Sequence, residues 1–456
     1  MPTDFGPSLL TNTALGTIAV LTTALAIWIW WRRSSAALAP VLLAVPLLLI
    51  ALFGVPLWEW SKHSKGAGLG PEIRGVPFTH SIGVTALLWA CIGAGLSALL
   101  LPAVGRGAER AADRGPAAPT DFHSRTTSVV CIWATLGSLA VWLIGSGPSI
   151  LVRDYYLQSD GIEFFLLVGW PLCFLAAIIT LVLSIFERDP LLKLFMWAAV
   201  AAVYIVMTAV GTRMAITFPA VAAFVLVGNM VRNRRLYVVS LVAAVGLLGL
   251  AAFTFSVVFT ARGVPHGLLN LPGIVMAVVD RSNSLSNLVL TPVKQLVSSI
   301  AVAYPLVERS AQYDLLEILI ANANPLPGTA VGRGFEVYWP YSWVPLAFVG
   351  TWYGSTGWLG QLLLYCFMGW TTGYAMANFL RSRLSYLWLL TVPVALALGA
   401  LSIQYTSRNV WRVLSIAVVL LVVSYLIRRK RVGSTSDDDA ETLSSSPLQP
   451  TPTGAV

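Results

Sequence analysis

Long apolar stretches separated by short polar segments recur along almost the whole chain. They run for about twenty residues and lack the two-residue alternation of a β-barrel strand. An α-helix needs roughly that length to cross the hydrocarbon core, where every backbone polar group must be bonded within the segment. The pattern predicts an all-α polytopic membrane protein with about eleven transmembrane helices. The predicted spans cover residues 8–31, 36–57, 80–104, 127–147, 162–186, 194–211, 214–230, 236–260, 355–379, 384–402 and 411–427.

Basic residues collect at one set of helix ends. They follow the first, third, seventh, ninth and last predicted spans, at 32–33, 106–125, 232–235, 381–383 and 428–431. Short loops rich in arginine and lysine favour the cytoplasm. The N-terminus is therefore expected outside and the C-terminus in the cytoplasm.

The amino-acid composition also indicates a membrane protein and argues against a soluble or nucleic-acid-binding one. Of the 456 residues, 57% are hydrophobic and only 11% are charged, whereas about a quarter are charged in soluble domains. The mean hydropathy is +0.77. The cytoplasmic arginine clusters account for most of the net charge of +9, so nucleic acid is not an expected partner.

Two regions stand apart from the apolar spans. The segment 260–354 is much longer than the other loops and is expected on the extracytoplasmic side of the membrane. Functional residues are often found on such long loops. Within it, 287–304 and 312–323 have helical patterns. Residues 433–456 are rich in Ser, Thr, Pro and Asp and are expected to form a disordered cytoplasmic tail, which leaves 1–432 as one membrane domain.

Arginines are also frequent on the side predicted to be external. An anion at the membrane surface would explain them, because the guanidinium group offers a planar set of donors to phosphate or carboxylate. The alternative is pairing with neighbouring carboxylates or with lipid headgroups. These arginines are Arg74, Arg153, Arg213, Arg262, Arg281, Arg309, Arg333, Arg408 and Arg412.

Arg213 differs from the other external arginines. It lies in "VMTAVGTRMAITFPAV" (206–221), at the predicted turn between two spans, and no acidic residue lies within one helical turn of it. An ionisable residue in such a place is costly and is common at functional sites. Its counter-charge must come from elsewhere in the fold, from lipid or from a substrate.

Several kinds of catalytic motif are absent from the sequence. It has no HExxH, GxSxG or P-loop pattern, no Cys/His cluster, and no external DxD motif that would hold a nucleotide-sugar through a metal. The four cysteines, Cys91, Cys131, Cys173 and Cys366, all lie within apolar spans without metal-ligand spacing. We therefore expect no metal site, no cofactor and no cytosolic nucleotide donor.

Four short motifs follow one another through the central part of the chain. They are "VGTRMAI" (210–216), "NANPLPG" (322–328), "GRGFEVYW" (332–339) and "WYGSTGWLG" (352–360). With the long external segment between them, residues 200–380 resemble the O-antigen and capsule repeat-unit polymerases of the Wzy type, within the O-antigen polymerase and ligase superfamily. Residues before 190 match only as generic membrane helices.

The resemblance implies a metal-independent glycosyltransferase at the outer face of a bacterial cytoplasmic membrane. Its substrate would be an oligosaccharide on polyprenyl diphosphate, transferred to the hydroxyl group of a second glycan. A flippase and a chain-length regulator are the further partners that it implies. Arg213, Arg281 and Arg408 are the candidates to bind the diphosphate and to neutralise its growing charge. The sugar and the stereochemistry of transfer stay open.

Transfer also needs a base for the acceptor's proton. Glu336 is the leading candidate because glycine and aromatic residues surround it, while Glu308, Asp314 and Glu317 are alternatives. The ligase branch carries a histidine in its large loop, and His266 is the only histidine of this segment. The aromatic residues predicted to stack on glycan, or else to anchor the chain at the interface, are Trp339, Tyr341, Trp352 and Tyr353.

Three other functions remain as alternatives. One is a ligase that moves a finished glycan to another acceptor. Another is a transporter for a lipid-linked glycan or anion, although the sequence shows no inverted repeat and its charges gather at helix ends. A membrane scaffold without catalysis is the third.

Overall fold

The computed structural model describes residues 9–63, 82–102, 125–154, 160–184, 187, 189–230, 237–261, 264–281, 348–382, 385–404 and 410–427. These ranges consist of helices and turns, with one isolated β-bridge. The α-helices are α1 (Leu9–Arg32), α2 (Leu38–His63), α3 (Ile82–Ser97), α4 (Arg125–Ser146), α5 (Glu163–Leu183), α6 (Pro190–Ala209), α7 (Thr217–Met230), α8 (Tyr237–Ala261), α9 (Leu271–Arg281), α10 (Phe348–Leu380), α11 (Thr391–Gln404) and α12 (Val410–Ile427).

Among the described residues, eight helices are long and apolar enough to cross a membrane. They are α1–α6, α8 and α12, so the predicted class of an all-α membrane protein is confirmed. By contrast, α7 and α11 have 14 residues each, which extend about 21 Å at 1.5 Å per residue. The count of eleven spans stays a prediction, as does the side of the membrane that each helix end faces. The tail 433–456 and the predicted helices at 287–304 and 312–323 lie outside the described residues.

The sixth helix begins earlier than its apolar pattern predicts. The side chain of Asp189 accepts hydrogen bonds from the backbone N–H groups of Leu191 and Leu192, and Pro190 is the first helical residue. Both features favour a helix start. The helix therefore includes Lys193 and begins at 190 rather than at 194.

The tenth helix is longer than predicted and contains a break. It starts at Phe348 rather than at residue 355, and Gly357 has φ 68° and ψ −169°. This backbone conformation is almost confined to glycine. Two helical halves, 348–356 and 358–380, therefore meet at Gly357.

Six helices, α1, α2, α3, α10, α11 and α12, form a first bundle. Leu15 of α1 and Leu364 of α10 belong to one core, while Ile29 and Leu380, near the ends of the same helices, belong to another. These two helices therefore run in the same direction. Trp352 packs against the core that contains Leu15 and Leu364, so we call that end of the first bundle the Trp352 end.

The helices α4 to α8 form a second bundle. Its central pair is α4 and α5, which approach so closely that a Cβ atom on Gly145 would overlap the backbone of Leu166, and one on Gly169 would lie 2.7 Å from the nitrogen of Trp142. The hydroxyl groups of Thr135 and Thr180 share a hydrogen bond of 2.8 Å across the same pair. Small residues and interhelical hydrogen bonds are the usual means of helix association in lipid.

The helix α9 lies within the segment that the sequence assigned to the large loop. Its Ile274 and Val278 are buried with Val257 and Ala261 of α8. With 11 residues it is about 16 Å long, which is too short for a spanning helix. This is why a search for long apolar runs passes over it.

The close contact of α4 and α5 gives a first prediction. The Gly145→Ala variant should be less stable by about 1–3 kcal/mol, because the added methyl group forces the two backbones apart. Thermal unfolding of the purified protein in detergent measures this effect. The matched control is Gly137→Ala on the same helix, where a Cβ atom meets nothing within 4 Å and stability should be unchanged or higher. Equal unfolding temperatures for the two variants would contradict the packing described.

Candidate active site

Arg213 lies in the turn that joins α6 to α7, as the sequence pattern predicts. Gly211 has φ 73°, and its N–H donates to the carbonyl oxygen of Thr208 at 3.0 Å. The Thr212 side chain accepts from the N–H of Met214 at 3.4 Å, which caps the short 3-10 helix Arg213–Ile216. Arg213 is thus the first residue of a capped turn, while its guanidinium group lies outside the described part of the chain.

The turn is fixed to the end of the second bundle. Val210 and Ala215, on either side of Arg213, are buried in the core of this bundle, and Met214 packs against the same core. The 3-10 helix also contacts α8. We call this end of the second bundle the Arg213 end.

A β-bridge joins two parts of the chain that are far apart in sequence. The N–H of Arg153 donates to the oxygen of His266 at 2.7 Å, and the N–H of His266 donates to the oxygen of Arg153 at 2.8 Å. Two more bonds run from Leu268 to Ile150 (3.0 Å) and from Leu269 to Leu151 (3.1 Å). We call residues 149–153 and 264–269 together the clamp.

The clamp lies at the Arg213 end. Ser128, near the start of α4, bonds to Glu187, just before α6, so α4 and α6 run in the same direction and end on the same side. The clamp follows α4, the Arg213 turn follows α6, and Ile150 and Leu268 pack in the core that also holds Val210. The clamp therefore connects the segment after α4 with the segment after α8 at the same end as the Arg213 turn. It also anchors the start of the long segment that the sequence assigns to the external face.

The two bridged residues carry buried polar side chains. Arg153 is 5% exposed and His266 is 0% exposed. The Nε atom of Arg153 donates to the carbonyl oxygen of Ser149 at 2.9 Å. The Nδ1 atom of His266 lies 3.0 Å from the carbonyl oxygen of Val264, and because a carbonyl only accepts, Nδ1 carries the proton. Both side chains are thus oriented by backbone oxygens of the clamp.

The other predicted site residues fall in different places. Arg281 is the last residue of α9, and Trp352 and Tyr353 lie in the first half of α10. The remaining ones, together with the alternative bases, lie outside the described residues: Glu336, Trp339, Tyr341, Arg408, Glu308, Asp314 and Glu317. Their predicted roles stay predictions.

Trp352 bridges the break in α10. Its indole N–H donates to the carbonyl oxygen of Gly360 at 3.2 Å, across Gly357. Its ring lies 6.0 Å from that of Phe348 and 5.8 Å from that of Trp411. These contacts give Trp352 a role in joining the two halves of α10, in addition to the predicted contact with glycan.

Glu187 is a buried carboxylate at the opposite end of the second bundle, and the sequence analysis did not single it out. Glu187 is 9% exposed, accepts a hydrogen bond from the Ser128 hydroxyl group, and accepts a second from the N–H of Asp189 at 2.9 Å. It connects the start of α4 with the turn before α6. These bonds give it a structural role at an end remote from Arg213.

No family model matches this chain, and no curated protein or solved structure matches it either.

The geometry of the clamp gives a second prediction. Gly267 has φ 129°, and a Cβ atom there would overlap the carbonyl oxygen of Leu151. In the Gly267→Ala variant the backbone amides of Arg153 and Leu268 should therefore exchange hydrogen about tenfold faster, as measured by mass spectrometry on protein in nanodiscs. Gly273→Ala on α9, where a Cβ atom meets nothing within 4 Å, should leave these amides unchanged. Unchanged protection in Gly267→Ala would mean that the clamp does not hold in the membrane.

Proposed function

We propose that this protein is a membrane glycosyltransferase that polymerises oligosaccharide repeat units carried on polyprenyl diphosphate, at the outer face of a bacterial cytoplasmic membrane. The observation that carries the proposal is the Arg213 turn, which is capped, packed on a buried core and located at the same end of the bundle as the clamp. A fixed arginine at the end of a membrane bundle suits an anion that is itself held at the membrane surface.

The proposed reaction breaks one bond and forms another at the same carbon atom. The bond between the donor sugar's anomeric carbon and the diphosphate oxygen breaks, and the acceptor's hydroxyl oxygen bonds to that carbon. The diphosphate leaves with the electron pair, while a base takes the hydroxyl proton. Charge therefore grows on the diphosphate oxygens, where Arg213, Arg281 and Arg408 are proposed to lie, and Glu336 is proposed as the base.

The clamp has a defined part in this proposal. The long segment that carries Glu336 starts at the clamp, where four backbone hydrogen bonds join it to the segment that follows α4. Catalysis depends on groups held within a fraction of an ångström of their working positions. The clamp is proposed to fix the origin of this segment relative to the Arg213 turn.

The Arg213 turn gives a third prediction. Purified protein in nanodiscs, supplied with polyprenyl-diphosphate-linked oligosaccharide and no nucleotide sugar, should produce longer glycans on the same carrier. The Arg213→Ala variant should lower the rate about a hundredfold or more, because a donor to the developing charge is lost. Gel separation of the labelled glycans measures the rate.

Arg74→Ala is the matched control, since Arg74 is an arginine predicted on the same side that is not among the three proposed diphosphate ligands. It should keep the wild-type rate. Undiminished synthesis by correctly folded Arg213→Ala protein would remove Arg213 from the mechanism. Transfer of finished glycan to an added acceptor, without elongation on the carrier, would instead identify the ligase alternative.

The proposed base gives a fourth prediction. Glu336→Gln keeps the size and polarity of the side chain but cannot accept the acceptor's proton, so kcat should fall about a hundredfold or more with little change in KM. Glu308→Gln is the comparison, because it changes a second carboxylate of the same segment. A loss confined to Glu308→Gln would transfer the role of base from Glu336 to Glu308.

A further inference from the structure

Polar side chains form a layer inside the first bundle, close to the Trp352 end. The Thr85 hydroxyl group of α3 donates to the Asn12 side-chain oxygen of α1 at 2.8 Å. One residue further along α3, the carbonyl oxygen of Ala86 accepts from the Gln361 side-chain nitrogen of α10 at 3.1 Å. Ser402, near the end of α11, is also buried. We call this set, with Tyr365 and Trp411, the polar layer.

Three atoms of the polar layer have no hydrogen-bond partner within the described part of the chain. They are the side-chain oxygen of Gln361, the hydroxyl group of Tyr365 and the indole nitrogen of Trp411. Gln361 and Tyr365 are 0% exposed and lie four residues apart on α10, which places their Cβ atoms about 5–6 Å from each other. Buried polar atoms are satisfied in almost all native structures, so a group of three requires an explanation.

Ser402 of α11 is the nearest competitor for this role. Its hydroxyl group donates to the carbonyl oxygen of Leu398, but its oxygen keeps lone pairs that can accept a proton from Tyr365. The Tyr365 hydroxyl group lies beside Ser402, although the two do not meet the geometry of a hydrogen bond. A contact with Ser402 is therefore the competing explanation, and the Ser402→Ala variant tests it.

Gln361 and Tyr365, which are neighbours on α10, define the chemistry of a bound partner. The Gln361 oxygen requires a donor, and the Tyr365 hydroxyl group pairs with either a donor or an acceptor. A hydroxyl group supplies both functions from one oxygen atom. The polar layer contains amide, hydroxyl and indole groups and no charged side chain among its described members, so it suits a neutral ligand rather than an anion.

The break in α10 precedes these residues in the chain. Gly357 lies four residues before Gln361, and its backbone leaves the helix at φ 68° and ψ −169°. Gly357 is itself exposed, and a Cβ atom there would meet nothing within 4 Å. The break therefore lies on the surface of the helix, and the unpartnered buried atoms alone carry the inference.

We propose that the polar layer is a binding site for a neutral hydroxyl group, held between Gln361 and Tyr365. Its source is either a bound water molecule or a hydroxyl group of a saccharide. The saccharide case rests on the proposed function, because it would make the layer a subsite for glycan, whereas the water case does not depend on it. Buried water is a regular component of folded proteins where several polar groups converge.

Thermal unfolding of the full chain in nanodiscs tests this proposal. If the hydroxyl group of Tyr365 had no partner, Tyr365→Phe would leave the unfolding temperature unchanged or raise it. A bound hydroxyl group instead predicts a fall of about 2 °C or more. Tyr204→Phe calibrates the measurement, since the hydroxyl group of Tyr204 shares a 2.5 Å hydrogen bond with Thr254.

A double-mutant cycle separates a bridging ligand from a local contact. Tyr365→Phe and Gln361→Leu should be coupled, so that the double variant loses less than the sum of the single losses, because one ligand contacts both side chains. No fall in Tyr365→Phe, or no coupling with Gln361→Leu, overturns the proposal. Full coupling of Tyr365→Phe with Ser402→Ala instead of Gln361→Leu also overturns it.

Maltotetraose and lacto-N-tetraose, two neutral saccharides, distinguish the two sources. If a saccharide raises the unfolding temperature of the wild type but not that of Tyr365→Phe, the bound hydroxyl group belongs to the saccharide. If Tyr365→Phe and Gln361→Leu are coupled but neither saccharide changes the unfolding temperature, the bound hydroxyl group belongs to water. Neither reading uses glycosyl transfer, so failure of the polymerase assay and failure of this proposal are separate results.

Discussion

The hydrocarbon core of a bilayer offers no hydrogen-bond partner, and this constraint bears on three places in the described residues where the chain leaves a helix. At the Arg213 turn, Gly211, Thr212 and the last residues of α6 form backbone and side-chain bonds that close the helix end. At the clamp, the backbone groups of two irregular segments form hydrogen bonds with each other. At the break in α10, the indole nitrogen of Trp352 binds the carbonyl oxygen of Gly360. Each of these three departures is compensated by specific groups, and Arg213 and Trp352 lie at two of them.

The two bundles meet the same constraint with different side chains. In the second bundle, glycines bring α4 and α5 into backbone contact, and a threonine pair bonds across the interface. The first bundle also has close contacts, since a Cβ atom on Gly93 would overlap the backbone of Leu362. It differs in its interior, where amide, hydroxyl and indole groups from several helices collect. Close helix contacts are therefore common to both bundles, and the first bundle adds the polar layer.

Local patterns predicted part of this arrangement. The helical class and the position of Arg213 between two helices follow from the length and spacing of the apolar stretches in the sequence. The pairing of Arg153 with His266 was not predicted, because the two residues are far apart in the chain and no periodicity links them. The break at Gly357 was not predicted either, since "GSTGWLG" is also compatible with a loop before a helix. The signal for α9 was present in its proline start and short apolar repeat, but a search for spans excludes helices of that length.

The placement of charge and of neutral polarity follows from the energy of desolvation. Removing an ion from water is far more costly than removing an amide or a hydroxyl group. An arginine intended for an anionic ligand therefore belongs at a turn at the end of a bundle, which is where Arg213 lies. A group that binds a neutral hydroxyl is tolerated inside a bundle, which is where Gln361 and Tyr365 lie. A glycosyltransferase acting on a lipid diphosphate has to handle both kinds of ligand, an anionic leaving group and neutral hydroxyl groups. Under the proposed function, Arg213 at the end of a bundle and the polar layer inside a bundle would serve these two kinds of ligand in turn.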